Sequence, residues 1–249
     1  MRHDRLDALR GLAMVWMTVY HFCFDLNHFG HIRQNFYADP LWTWQRTAIV
    51  SLFLLCAGAG QALAVAQGQG WPRFWRRWGQ IAACALLVSL GSWWMFPQSW
   101  ISFGVLHGMA VMLLITRVAL LRGWLRGARP WGLGALLIAA GPLGSAWLQG
   151  ARGSALADAL NGRWLNGLGV VTHKPPTEDY VPLLPWLGVM WLGVGAAQWL
   201  AARAPQALAG TLGAPGRALA VLGRHSLLYY MLHQPVMIGA LMAWGWLSR

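Results

Sequence analysis

Residues 5–30, RLDALRGLAMVWMTVYHFCFDLNHFG, decide how the chain is read. Asp4, Arg5, Asp7 and Arg10 crowd its start, an apolar run follows from Gly11 to Tyr20, and His21, Asp25 and His28 close it among aromatic residues. An apolar helix of about 20 residues is long enough to cross ~30 Å of hydrocarbon. Ionisable groups inside such a helix are costly to keep there, so they are first read as functional. His21 and Asp25 stand four apart and so share one helical face. A base and a carboxylate on one face give a centre around which the other segments form walls.

The rest of the chain agrees with a membrane setting. It has 249 residues, of which 57% are hydrophobic and only 10% charged, against about 25% charged in soluble domains. An all-α, polytopic membrane helix bundle follows, as a single domain over residues 1–249. Nineteen Lys and Arg against seven Asp and Glu give a formal charge of +12, and Lys174 is the sole lysine. In a soluble protein that excess would point to nucleic acid. Here it fits topology and lipid headgroups, and no nucleic-acid partner is expected. Eighteen Trp suit the interfacial belts of a bilayer in part. Cys23, Cys56 and Cys84 all lie in apolar stretches, as small buried hydrophobes rather than a disulfide set. The charged start is not expected to be a cleaved leader, since His21, Asp25 and Asn27 follow it with no small-residue cleavage site.

Seven apolar segments can be drawn, at 8–26, 44–66, 79–97, 100–121, 131–150, 183–202 and 226–247. With the N-terminus in the cytoplasm, the inner side collects thirteen basic residues: Arg2, Arg5 and Arg10, then Arg73, Arg76 and Arg77, then Arg117, Arg122, Arg126 and Arg129, then Arg203, Arg217 and Arg224. Six fall outside: Arg33, Arg46, Arg152, Arg163, Lys174 and Arg249. This bias predicts a cytoplasmic N-terminus and, with seven transmembrane helices, an external C-terminus. Of the external loops, 151–182 is the longest. Its Pro175-Pro176 pair and glycines argue against one regular helix, and its length argues that it covers something. The glycines around Gly58 and at Gly104 and Gly108 are read as sites of close helix packing.

His21 beside Asp25 can take a proton from an attacking hydroxyl or amine, with the carboxylate fixing its tautomer. A polar pair tying two helices together is the plainer alternative. His28 and His31 continue the line, and three such groups on one face could ligate a metal. Gly30 interrupts the helix before His31, however, so exposed histidines at the membrane edge are the simpler account and no metal is expected. His107, in the fourth segment, matches the depth of His21. It is either part of the same site or a satisfied core histidine. His225, Tyr229 and His233 are spaced by four in the last segment, where Pro235 frees backbone groups beside His233 and Gln234. Arg10, Arg224 and His225 lie at the inner mouth and suit a phosphate-bearing ligand from the cytoplasm, or else are arginines snorkelling to the inner surface. Together these groups form a gradient from the inner mouth, past His233 in the inner half, to His107, His21 and Asp25 nearer the outer face.

Five motifs in order resemble one family. Arg5-Leu6-Asp7 with Arg10-Gly11, followed by His21-Phe22 and Asp25-Leu26, is similar to the first span of the heparan-α-glucosaminide N-acetyltransferase catalytic-domain family. Gly104-Val105-Leu106-His107, Pro182 to Trp186, Gly223-Arg224-His225-Ser226 and His233-Gln234-Pro235 resemble its later motifs. The compact length is similar to that of bacterial members. The resemblance implies a membrane acyltransferase that takes an acetyl group from cytoplasmic acetyl-CoA, a substrate rather than a resident cofactor, and gives it to a sugar amine or hydroxyl across the membrane. His21, Asp25 and His107 would then be catalytic, with His21 as base or acyl carrier and Asp25 as its orienter. Arg10, Arg224, Ser226 and His233 would meet the donor, with Asp7, Tyr229 and Gln234 as further candidates. In the lysosomal member of the family the active histidine lies after the first span, where this chain differs in spacing, so His28 and His31 compete with His21. Expected partners are acyl-CoA, a glycan acceptor and membrane lipids, with a homodimer compatible and the bacterial inner membrane as the location. Three rivals stand beside this: a proton-coupled transporter using the His/Asp chain as a relay, a haem protein ligated by His21 and His107, and a non-catalytic scaffold.

Overall fold

The computed structural model describes residues 3–247. Arg2 and Arg249, counted above on the inner and outer sides, lie outside the described residues. Among the described residues the fold is all-helical. Nine helices follow one another: α1 Asp4–His28, α2 Pro40–Ala66, α3 Trp71–Met95, α4 Val105–Leu121, α5 Arg129–Gly150, α6 Ala155–Asn161, α7 Leu183–Arg203, α8 Ala214–Arg224 and α9 Ser226–Leu247, with single 3-10 turns at Asn166–Leu168 and Pro205–Ala207.

Length and composition make α2, α5 and α7 able to cross a membrane, and α4 is apolar but shorter at 17 residues. At 1.5 Å per residue, α1 and α3, with 25 residues each, and α9, with 22, also exceed ~30 Å. They carry more polar groups: the charged start of α1, three arginines at the start of α3, and His233 and Gln234 in α9.

The helix ends follow from local chemistry. Asp4 and Asp7 lie in the first turn of α1, where the helix dipole favours acids. Gly30, at a left-handed φ of 80°, stops α1 just past Phe29. Pro72, Pro130 and Pro215 sit in the first turns of α3, α5 and α8, where a missing N–H costs nothing. Leu184 is extended, and the regular part of α7 starts at Pro185.

The chain forms two compact units. One runs up to Phe53 and resumes from Ala204; the other is Leu54–Arg203. In the first, α8 lies against α1 at a crossing of glycines. A Cβ on Gly11 would strike the Leu219 carbonyl, and one on Gly223 would strike that of Asp7. Small residues let the two backbones touch there. A core of Met14, Met17, Tyr20, Phe36 and Ile49 fills this unit, with Trp42, Tyr229 and Tyr230 packed on it. Phe36 comes from the loop after α1. It stacks on Trp42 at 4.1 Å, with Tyr20 edge-on to both rings, and burying a ring of this size contributes about 2 kcal/mol.

In the second unit α5 packs on α7, and α3 and α7 pack on α4. The close-packing glycine at Gly58 holds: a Cβ there would meet the Met190 carbonyl. The long 151–182 loop is not one helix. It contains α6 and a 3-10 turn, and its end is sewn onto the segment before α4. Ser99 Oγ donates to Glu178 at 2.6 Å, Thr177 Oγ1 to the Trp100 carbonyl at 3.1 Å, and the Val181 N–H to the Phe103 carbonyl at 3.3 Å. These bonds hold 99–104 out of the helix, so α4 starts at Val105 rather than at 100. Tyr180 donates to the Asn166 carbonyl at 2.6 Å, and burial pushes its hydroxyl up to about 12, so it remains a donor.

Candidate functional site

The polar centre of the first unit joins α1 to α9. His21 Nδ1 and His233 Nε2 are 2.8 Å apart, and their rings stack at 5.1 Å with an interplanar angle of 20°. His233 Nδ1 lies 2.7 Å from the carbonyl oxygen of Tyr230, one turn earlier on α9. Next along α1, Asp25 accepts from Gln234 Nε2 at 2.7 Å. His233 is 8% exposed and Asp25 3%. The second oxygen of Asp25 and the Oε1 of Gln234 are buried with no partner among the described residues.

His21 and Asp25 share a face of α1 as their spacing predicts, but each is bonded across to α9 rather than to the other. The partner of His21 is therefore His233, and Asp25 belongs with Gln234. His233 also lies level with His21, not apart from it in depth as the sequence gradient predicts. The reason is the glycine crossing: with Gly223 against Asp7 and Gly11, α9 starts more than a turn into α1 and runs alongside it.

Tyr229 stacks on His233 at 6.0 Å and lies 2.6 Å from Thr18 Oγ1. Thr18 already gives its proton to the Met14 carbonyl at 2.8 Å, so the Tyr229 hydroxyl donates to Thr18. Thr18 was missed in the sequence, although it is a polar residue three before His21 in an apolar run. A cavity of about 370 Å³ adjoins this cluster, lined by Thr18, His225, Tyr229 and His233 and otherwise by aliphatic side chains of α8 and α9. His225 caps the end of α8, and Ser226 opens α9 directly behind it.

Arg10 near the start of α1 and Arg224 at the end of α8 are held by carboxylates. Arg10 pairs with Asp7 at 2.8 Å, and Arg224 with Asp4 at 3.1 Å while its Nε faces Asp7 at 3.9 Å. His28 ends α1 and is exposed, as is His31 in the following turn. Among the described residues no three His, Cys, Asp or Glu gather where they could hold a metal ion.

His107 lies in the second unit, on the first turn of α4. Its Nδ1 accepts from the Gly104 N–H at 3.3 Å, and its Nε2 lies 3.0 Å from Ser89 Oγ, whose proton goes to the Ile101 carbonyl at 2.7 Å. Asp179 accepts from the Val105 N–H at 2.6 Å beside it. Both ring nitrogens of His107 are thus engaged where α4 starts.

The first unit holds, in one short stretch, a stacked histidine pair, a buried carboxylate and a cavity. The arrangement can accept a proton from, or attack, a group brought to the free side of His21. No curated protein and no solved structure matches the chain. The family model described as "Heparan-alpha-glucosaminide N-acetyltransferase, catalytic" matches residues 2–235 and so covers nearly all of it, including every residue of this cluster. The chain belongs to that family, and is a membrane acyltransferase of the N-acetyltransferase type.

Proposed function

We propose that the protein moves an acetyl or similar acyl group from cytoplasmic acyl-CoA to an amine or hydroxyl of a sugar or glycan on the far side of a bacterial inner membrane. The observation that carries this is the His21–His233 pair beside the cavity between α1, α8 and α9. As a base, His21 takes a proton from the acceptor as its nitrogen or oxygen bonds to the thioester carbon. The carbon–sulfur bond breaks, and the CoA thiolate leaves and is protonated in turn. As an acyl carrier, His21 bonds to the thioester carbon first while the CoA thiolate leaves, and in a second step the acceptor bonds to that carbon, gives up its proton and releases the imidazole.

Arg10 and Arg224 stand at the inner end of this cluster as contacts for the CoA phosphates, with Asp4 and Asp7 holding them in place until the donor arrives. Tyr229 lines the cavity beside His233, Ser226 is a further contact for the donor, and Asp25 with Gln234 anchors α9 to α1. His107 sets the start of α4. Seven helices, α1 to α5 with α7 and α9, span the membrane with the N-terminus inside, in accord with the thirteen basic residues assigned to the inner side and six to the outer. The two units work as one catalytic domain.

The test is CoA release by purified protein given acetyl-CoA, with and without an amino sugar. Wild type releases CoA and His21→Ala does not, while both remain folded by thermal melting. Equal release by His21→Ala would sink the assignment. A burst of one CoA per protein without acceptor marks the acyl carrier; no burst marks the base.

A further inference from the structure

We propose that His233, and not Asp25, is the positioning residue of His21, fixing by its own hydrogen bonds which ring nitrogen of His21 is free to react. The geometry stands independently of acyl transfer; only its catalytic consequence rests on the function proposed above. A main-chain carbonyl can only accept, so the 2.7 Å contact with the Tyr230 oxygen requires the proton of His233 on Nδ1. In the neutral ring Nε2 then carries a lone pair. It faces His21 Nδ1 at 2.8 Å, which must therefore be the donor. The chain of bonds runs from His21 Nδ1–H to His233 Nε2, and from His233 Nδ1–H to the Tyr230 carbonyl. It leaves the Nε2 of His21 as a lone pair with no hydrogen-bond partner among the described residues.

That is the orientation a general base or nucleophile needs, reached here without a carboxylate on the imidazole. In a Ser-His-Asp triad the acid holds the tautomer of the base. Here a second histidine occupies that place, and a backbone carbonyl holds the second histidine. Pro235 contributes two residues after His233. It gives no N–H to the carbonyl of Met231 and crowds it, which loosens the turn in which a side chain reaches a main-chain oxygen. The stacking of Tyr229, itself tied to Thr18, keeps the His233 ring in plane.

Selective ¹⁵N-histidine labelling of the full chain in lipid nanodiscs tests this directly, with the His21 signals among the eight histidines assigned by their loss in His21→Gln. Wild type is expected to show His21 protonated on Nδ1 and bare on Nε2. His233→Ala shifts it towards the Nε2-protonated form, and His233→Gln, whose side-chain oxygen can accept in place of Nε2, keeps the wild-type form. In turnover, His233→Ala loses about 100-fold in kcat with the donor KM unchanged, while His233→Gln stays within about tenfold of wild type. If His233→Ala does not fold, the wild-type tautomer and His233→Gln decide the matter. A wild-type His21 protonated on Nε2, or one whose tautomer ignores His233→Ala, overturns the proposal whether or not CoA is released. The expected tautomer in a protein that never releases CoA supports this geometry and sinks acyl transfer instead.

Discussion

Asp25 shows how narrowly the polar centre is satisfied. Its carboxylate is buried within an apolar helix, one oxygen is bonded to Gln234 and the other has no partner among the described residues. A buried group that loses its partner costs its full desolvation, about 1–3 kcal/mol and more for a charge. Gln234→Leu is therefore expected to lower stability by about 3 kcal/mol, read as a fall in the thermal midpoint in detergent. Gln234→Glu, which can share a proton with Asp25, should fall by less. An unchanged midpoint in Gln234→Leu would mean that Asp25 draws its support from elsewhere. The residue scale is also where sequence reading reached its limit. The i, i+4 spacing of His21 and Asp25 places them on one face, but side chains on one face are as free to reach a neighbouring helix as each other. His233 lies 212 positions away from His21, and its own spacing of four with His225 and Tyr229 identifies a face without identifying what that face meets.

Among the elements, those bounded by strong local signals were legible. The 226–247 segment is α9 Ser226–Leu247, and 183–202 is α7 within a residue. Gly30 marks the end of α1 as its position suggests. The misplaced boundaries have physical causes. α3 begins at Trp71, eight residues before the segment drawn from 79, because Arg73, Arg76 and Arg77 hide about two helical turns from any apolar count. α4 begins five residues late because hydrogen bonds from the distant 177–181 stretch claim the residues before it. His107 belongs to this scale: its ring closes the first turn of α4 through Gly104 and Ser89. His107→Ala should cost about 1–2 kcal/mol, as the loss of a helix cap does, with turnover per folded protein within about twofold of wild type. A large loss of kcat in folded His107→Ala would instead return His107 to the reacting groups.

At the scale of the whole molecule, the family match over 2–235 and the helical fold bear out a membrane acyltransferase. The transporter reading finds no comparable support. Transfer across a bilayer, as proposed above, requires sidedness, with the arginine-rich side as the inner one that would meet the donor. The deciding measurement uses sealed proteoliposomes with a single protein orientation, labelled acetyl-CoA on the side of Arg224 and an amino sugar on the other. Wild type is expected to deposit label on the trapped sugar while CoA appears only on the donor side, and His21→Ala to do neither. Label reaching the sugar equally well with His21→Ala, or only when donor and sugar share one side, would contradict transfer across the membrane through His21.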